Sequence, residues 1–346
     1  MKWGGFMKIA ICGDVHWSQY SSIIRKRGEK YSVRLENLIN SVNWFNQLST
    51  ANNCVANFYL GDFFDKAEIN AEEISALSKI EWSTGIQYFL CGNHEMIAAD
   101  HKYSSAKVFD LIERGEVLDE PTILPFDNIE IGILPYILES NRKSLTDYLP
   151  AKTDKKRLIL SHNDIKGIQM GKFVSEAGFS IEELEANADL ILNGHLHNGD
   201  KVSDKIINVG VLSGMNFSED AFKYDHVAFI VDTDTLKIEV YENPWALNFY
   251  KIDAVEHVPN LYAIKQNAVI TLKCNDSDAE YYKKQLNEMS NVLETRVIIQ
   301  PTMQILNEEI TQETLTVDHL ESFKTYILNN FENTKELMEE LNEVLK

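Results

Sequence analysis

Short unbroken apolar runs alternate, over residues 8–245, with longer stretches in which apolar residues recur every three or four positions. The runs KIAICG (8–13), VANFYLG (55–61), IQYFLCG (86–92), RLILSH (157–162) and DLILNGH (189–195) each end at a glycine or a histidine. Runs of this kind predict strands buried on both faces, because neither of the two alternating faces meets water. Between the first two runs, Leu35, Leu38, Val42 and Phe45 recur at helical spacing. Strands joined by helices predict a layered α/β fold, and in such folds ligands gather at the carboxyl ends of the strands.

The pattern changes near residue 246. AVITLKCND, SDAEYYKKQLNEMSNVL and TRVIIQP predict a compact β-α-β unit, followed by the polar connection PTMQILNEEITQETLT. In the last thirty residues Leu320, Phe323, Ile327, Phe331, Leu337, Leu341 and Val344 form an apolar stripe on an otherwise acidic helical pattern. The expected organisation is a main domain over 1–245, a small α+β unit over 246–303, and a linker with a helical tail over 304–346. No internal repeat or low-complexity tract interrupts it.

Composition narrows the class. The 346 residues are 44% hydrophobic and 25% charged, as in an ordinary soluble globular protein. No apolar run reaches the roughly 18 to 20 residues of a membrane span, and MKWGGFMKIAICG does not read as a signal peptide. Cys12, Cys54, Cys91 and Cys274 lack C-x-x-C spacing and sit mostly in apolar runs, which predicts reduced, buried thiols in a cytosol. A formal charge of -20 argues against nonspecific attraction of the whole molecule to nucleic acid. One basic cluster, Arg25, Lys26, Arg27, Lys30 and Arg34, stands out. It reads equally as a solvated loop and helix start or as a local grip on a phosphate backbone.

The strand ends carry the chemistry. In order they deliver GDVH with Asp14 and His16, GDFFD with Asp62 and Asp65, GNHE with Asn93, His94 and Glu95, SHND with His162, and GHLH with His195 and His197. Each alone is an ordinary turn or a structural histidine; five in order are not. Hydrolysing a phosphate ester near neutral pH requires a strong oxygen nucleophile and a positive clamp on the phosphoryl oxygens, and two divalent ions roughly 3.5 to 4 Å apart supply both. A carboxylate can bridge two ions whereas a neutral imidazole ligates one, which makes Asp62 the candidate bridge. Mixed nitrogen and oxygen donors without thiolate suit manganese or iron better than structural zinc or an all-oxygen magnesium site. The flanking glycines let His195 and His197 leave regular strand geometry and reach different ions.

These five motifs, in this order, resemble the calcineurin-like metallophosphoesterase superfamily. The resemblance implies a four-layer α/β/β/α sandwich in which Asp14, His16, Asp62 and His197 hold one metal and Asp62, Asn93, His162 and His195 the other. It implies that His94 lies outside the metals, contacts the scissile phosphate and helps protonate the leaving oxygen. GDFFDK is similar to the motif of the SbcD family of double-strand-break repair nucleases; protein phosphatases carry Arg-Gly where Lys66 and Ala67 stand. IINVGVLSGMNFSED, followed by HVAFIVDTDTLKIEVY, resembles the closing segment of that family's catalytic domain, and residues 249–303 resemble its capping domain. The compact size looks most like bacteriophage members.

The resemblance implies a Mn2+-dependent DNA nuclease, exonuclease on duplex ends and endonuclease on single strands. It would be a homodimer in a bacterial host cytoplasm, with residues 315–346 docking on an SbcC-like coiled-coil ATPase. Two departures stand out: Glu95 replaces the usual Asp, and Val211 follows Gly210 where relatives commonly have Ser. The alternatives are a phosphoprotein phosphatase or small-molecule phosphodiesterase of the same superfamily, and a non-catalytic architectural subunit.

Overall fold

The computed structural model describes residues 7–300 apart from 25, 98–101, 127, 171–172 and 256–257. The linker, the tail stripe and Arg25 lie outside the described residues. The chain first lays down β1 (Lys8–Cys12), α1 (Val33–Ala51), β2 (Ala56–Tyr59), α2 (Ala71–Leu77), β3 (Ile86–Leu90), α3 (Val108–Leu111) and β4 (Glu116–Leu118). There follow β5 (Thr122–Pro125), β6 (Ile129–Leu134), α4 (Leu145–Tyr148) and β7 (Lys156–Ser161). Four two-residue strands come next, β8 (Ile165–Lys166), β9 (Gln169–Met170), β10 (Phe173–Val174) and β11 (Phe179–Ser180). Then come α5 (Ile181–Asn187), β12 (Leu190–Asn193), β13 (Asp200–Lys201), β14 (Ile206–Asn208), β15 (Val227–Asp232) and β16 (Ile238–Glu242). The described chain ends with β17 (Asn248–Asp253), β18 (Ala268–Asn275), α6 (Ala279–Glu288) and β19 (Val292–Gln300).

Two six-stranded sheets result, ordered β16-β15-β1-β2-β3-β4 and β13-β14-β12-β7-β6-β5. β1 to β4 pair in parallel, as do β6, β7, β12 and β14; antiparallel strands close every edge except that of β4. Alternation along the strands divides the core. Ile9 and Ile11 of β1 and Phe58 of β2 meet Ile131, Ile133, Leu158 and Leu160 of the second sheet. Ala10 and Cys12 face the other way, onto Leu35, Leu38, Val42 and Phe45 of α1, the stripe that the spacing predicts. On the far side, Ile159, Ile191 and Ile206 are covered by Leu145 of α4 and Leu184 of α5. This is the expected α/β/β/α sandwich, with few and mostly short helices. Full burial of each large apolar side chain contributes about 1.5–3 kcal/mol.

Local signals set the helix starts. The Ser32 hydroxyl accepts from the Leu35 amide at the start of α1. Asn70 and Glu73 form a reciprocal capping box at the start of α2. Glu73 also accepts from the Gln19 amide at 2.9 Å, and its carbonyl receives the Trp17 indole at 3.1 Å. The loop after β1 is thereby fastened to α2.

Residues 248–300 form a third, all-parallel sheet, β17-β18-β19, rather than the two strands and helix the pattern gives. α6 ends at Glu288, and β19 begins at Val292, inside the stretch expected to be helical. Asn291 explains the break: its side-chain amide donates to the carbonyls of Ile264 and Lys265 at 2.8 and 3.2 Å, and its own carbonyl receives the Ala268 amide. One face of this sheet packs on Tyr282 and Leu286 of α6. The other sets Leu247, Phe249 and Val269 against Ile24, Val33 and Phe217.

Much of the basic cluster is engaged in structural contacts. Lys26 donates to the Leu293 carbonyl at 2.8 Å and pairs with Glu294, and Arg27 pairs with Glu72 at 2.7 Å. Arg34 is buried under the loop after β1 and donates to the carbonyls of His16 and Gly214 at 3.1 and 3.3 Å. The four cysteines are free and buried. Among the described residues no helix is long and apolar enough to cross a membrane.

Candidate metal centre

The five motifs follow the ends of β1, β2, β3, β7 and β12, neighbours in the two sheets, so their side chains converge. Three of the residues named from sequence hold left-handed backbone conformations without being glycine: His16 (φ 50), Asp62 (φ 46) and His195 (φ 72). Such positions are costly and persist where the surroundings over-determine them, commonly at functional sites. Close approach explains Gly194 of the GHLH motif, where a β-carbon would stand 2.4 Å from the Leu60 carbonyl oxygen and 2.7 Å from Asp14 Oδ1.

Three clusters of possible ligands form: one is His16, Asp65 and His94, and two hold the residues expected as ligands. Asp14, His16 and His197 each offer an atom within 4.8 Å of the others, and so do Asp62, His162 and His195. In the first, His16 Nε2 and His197 Nε2 stand 3.1 Å apart, and Asp14 Oδ2 is 3.7 Å from His16 Nε2. In the second, His162 Nε2 is 3.1 Å from Asp62 Oδ2, and Asn93 Oδ1 lies 3.2 Å from His162 Nε2 and 3.0 Å from His195 Nδ1. Asp62 touches the first group through its backbone, its carbonyl accepting from the His16 amide at 2.9 Å. Asp14 also reaches across, its Oδ1 accepting from the His195 amide at 3.0 Å. His94 stands at the edge, its side chain 40% exposed, with Nδ1 3.0 Å from the Asp65 carbonyl and its ring 4.8 Å from that of His16. All eight residues named from sequence are therefore in one place.

The electrostatics favour a cation. Burial alone would depress His16, but the carboxylates of Asp14 and Asp65 beside its ring and the nearby Asp62 charge push it up to about 10. Burial likewise opposes protonation of His162, and the charges of Asp62 and Asp14 outweigh it, raising it to about 9. Asp62 is held well below the usual carboxylate range by His162 despite its burial. The protons these histidines attract mark where positive charge is wanted. Asp14 Oδ2 is fully buried and has no hydrogen-bond partner, a costly state for a carboxylate oxygen unless a cation meets it. The donor set of carboxylates, imidazoles and one carboxamide, with no thiolate near, fits hard to borderline divalent ions.

Further residues support the ligands, Asp65 and Asp164 from the motifs and Glu219 from the NFSED segment beyond them. Asp65 Oδ1 lies 3.2 Å from His16 Nδ1, Glu219 Oε1 3.1 Å from His197 Nδ1, and Asp164 Oδ1 3.2 Å from His195 Nε2. Glu95, the departure in GNHE, is fully buried and accepts from the amides of Phe64 (3.1 Å) and Gly92 (2.9 Å). It holds the second and third motifs together, and burial followed by the Asp62 charge lifts it to about 7. Val211 is buried, its amide donating to the His197 carbonyl at 3.1 Å.

The profile of the calcineurin-like phosphoesterase family matches residues 7–199, which contain all five motifs. No curated protein matches the chain. Among solved structures, TT1561 of Thermus thermophilus is similar at a TM-score of 0.38 and 10% identity, covering 69% of this chain and 99% of that one. A second crystal structure has the same score and identity, with 100% of its own chain covered. Likenesses this distant add nothing to the family match, which spans more than half of the sequence. With that match and two groups of metal-ligating side chains at the strand ends, the chain belongs to the calcineurin-like phosphoesterase family and is a metal-dependent hydrolase.

Proposed function

We propose that the protein is a DNA nuclease of the SbcD type that hydrolyses phosphodiesters with two Mn2+ ions. Asp14, His16, Asp62 and His197 would hold one ion, and Asp62, Asn93, His162 and His195 the other. The observation that carries the reading is the pair of ligand groups meeting at Asp14 and Asp62, with the half-exposed His94 beside them. Bound there, divalent ions supply Lewis acidity and lower the pKa of water. The Asp65 carbonyl accepts from His94 Nδ1–H, which aims Nε2 outward; as the imidazolium the ring would meet the phosphate through Nε2–H and pass that proton to the leaving oxygen. Arg34 and Glu95 hold the loops that carry these groups.

The order of the chain supports DNA over a phosphoprotein. Lys66 and Ala67 stand where phosphatases carry Arg-Gly, and the hairpin β15-β16 leads into a small parallel sheet placed like the SbcD cap. On this reading residues 315–346 dock on a coiled-coil ATPase that supplies much of the DNA grip, and the nuclease works as a homodimer in the host cytoplasm. Lys26, Arg27 and Arg34 of the basic cluster are engaged in structural contacts, which fits a borrowed grip. One observation favours the phosphatase alternative: GNHE is the phosphatase spelling of the third motif, although Glu95 faces Phe64 and Gly92 rather than substrate.

Purified protein with Mn2+ should degrade an end-labelled linear duplex, and His94→Ala should not. Phosphate release from a phosphopeptide, with no DNA cleavage even beside the ATPase and ATP, would overturn the nuclease reading.

A further inference from the structure

We infer that Glu219 is a positioning residue for the metal centre, fixing the proton of His197 on Nδ1 so that Nε2 presents its lone pair to the first ion. The inference rests on the two-ion reading of the site and assigns a role to a residue outside the five motifs.

Glu219 is 3% exposed, and both carboxylate oxygens are used. Oε1 stands 3.1 Å from His197 Nδ1, and Oε2 accepts from the Met215 amide at 2.7 Å. A carboxylate can only accept, so the shared proton belongs to the imidazole nitrogen and Nε2 is left as the acceptor. His197 Nε2 is the atom that faces His16 Nε2 in the first ligand group. On the other side Asp65 stands at 3.2 Å from His16 Nδ1, so each imidazole of the group has a carboxylate behind it. Carboxylates behind ligating histidines fix the tautomer and raise ligand basicity, and losing one typically costs 10–100-fold in metal affinity.

A purely structural role would have Glu219 hold its loop, but the loop is anchored without it. The Gly214 amide donates to the Leu247 carbonyl at 3.1 Å, and the Ala221 amide to the Phe249 carbonyl at 3.0 Å. Ser213 Oγ donates to Asn37 Oδ1 of α1 at 2.7 Å and accepts from the Leu247 amide at 3.0 Å, while Arg34 takes the Gly214 carbonyl. Five hydrogen bonds to α1 and the third sheet remain when the Glu219 side chain is removed. The same bonds hang the loop on β17 and the residue before it, so the seating of the third sheet sets where Glu219 meets His197.

The test uses the full chain, with Glu219→Ala and Glu219→Gln. Titration with Mn2+ followed by electron paramagnetic resonance should give two ions with a spin-coupled spectrum in the wild type. In Glu219→Ala one ion should bind as before and the other about 10–100-fold more weakly. Gln has one oxygen for two donors, the His197 ring and the Met215 amide, so its defect should be intermediate. Nitrogen-15 spectra of metal-free protein should place the His197 proton on Nδ1 in the wild type and on both nitrogens in Glu219→Ala. Circular dichroism identifies a variant that fails to fold, in which case the near-isosteric Gln decides. Wild-type affinity for both ions, with the proton still on Nδ1 in both variants, would overturn the inference. A wild type that takes up no Mn2+ would sink the two-ion reading instead, and the proton position would still decide the role of Glu219.

Discussion

His16 Nε2 and His197 Nε2 face each other across 3.1 Å, and each ring has a carboxylate at its other nitrogen, Asp65 for one and Glu219 for the other. Two nitrogens so placed repel unless a proton or a metal ion lies between them. Stripping divalent ions with a chelator should therefore lower the thermal midpoint, and Mn2+ should restore it. With free ion at a hundred times its dissociation constant the gain is about 2.7 kcal/mol per site. Identical melting curves with and without Mn2+ would show that nothing in the fold awaits a cation.

Asp62 and His94 separate ligation from chemistry. Asp62→Ala should remove the carboxylate proposed to bridge the two ions and reduce bound metal below two ions per chain. His94 belongs to neither the Asp14–His16–His197 group nor the Asp62–His162–His195 group, so if those two hold the ions His94→Ala should keep the full metal content, whereas a ligand role in the His16–Asp65–His94 group would lower it. The variant's turnover of an unactivated phosphodiester such as the DNA backbone should fall by about 10²–10⁴, the usual contribution of a placed acid or base. Elemental analysis beside the rate distinguishes the two variants; metal lost with His94 would make it a ligand.

What could be foreseen was local. Each of the five strands is a short apolar run, and each run ends where a carboxylate, carboxamide or imidazole begins, so the convergence of these eight residues at neighbouring strand ends is legible from order alone. The α1 stripe is legible for the same reason, its spacing being a property of one helix. The supporting residues are long-range: Glu219 meets His197 from 22 positions away, and Arg34 meets Gly214 across 180. Nothing near Arg34 in sequence separates it from Lys26 and Arg27, which stay at the surface. The early end of α6 depends on carbonyls of Ile264 and Lys265 that Asn291 finds only once β18 is in place.

Glu95 should behave as a strut rather than a catalyst. Glu95→Ala leaves the buried amides of Phe64 and Gly92 without their acceptor, each at about 1–3 kcal/mol. Those amides flank Asp62 and Asn93, so metal affinity and turnover should fall with stability. Denaturant unfolding and Mn2+ titration of the same variant check this; a stable variant with unchanged metal binding would show that the GDFFD and GNHE loops hold themselves.

The half-buried ion pair of β6 and β7 gives a pH-dependent stability independent of the metal centre. Arg157 is fully buried; its Nε and one terminal nitrogen donate to Glu130 Oε2 at 2.9 and 2.6 Å, and its guanidinium also reaches the carbonyls of Pro150 and Ala151. Partial burial would raise the Glu130 carboxyl, but hydrogen bonds from Thr153 and Arg157 outweigh it and hold it below its ordinary value. A depressed carboxylate contributes stability fully above its unfolded pKa, about 4.3 for Glu, and loses it as pH falls through the folded value. Arg157→Met removes the partner and leaves two carbonyls unpaired, at a cost of about 3 kcal/mol near neutral pH. Measured by urea unfolding at pH 7 and again near pH 3, the gap between wild type and Arg157→Met should narrow at the lower pH. A gap that stays constant would mean that the carbonyl bonds of Arg157, and not its charge on Glu130, hold this edge of the second sheet.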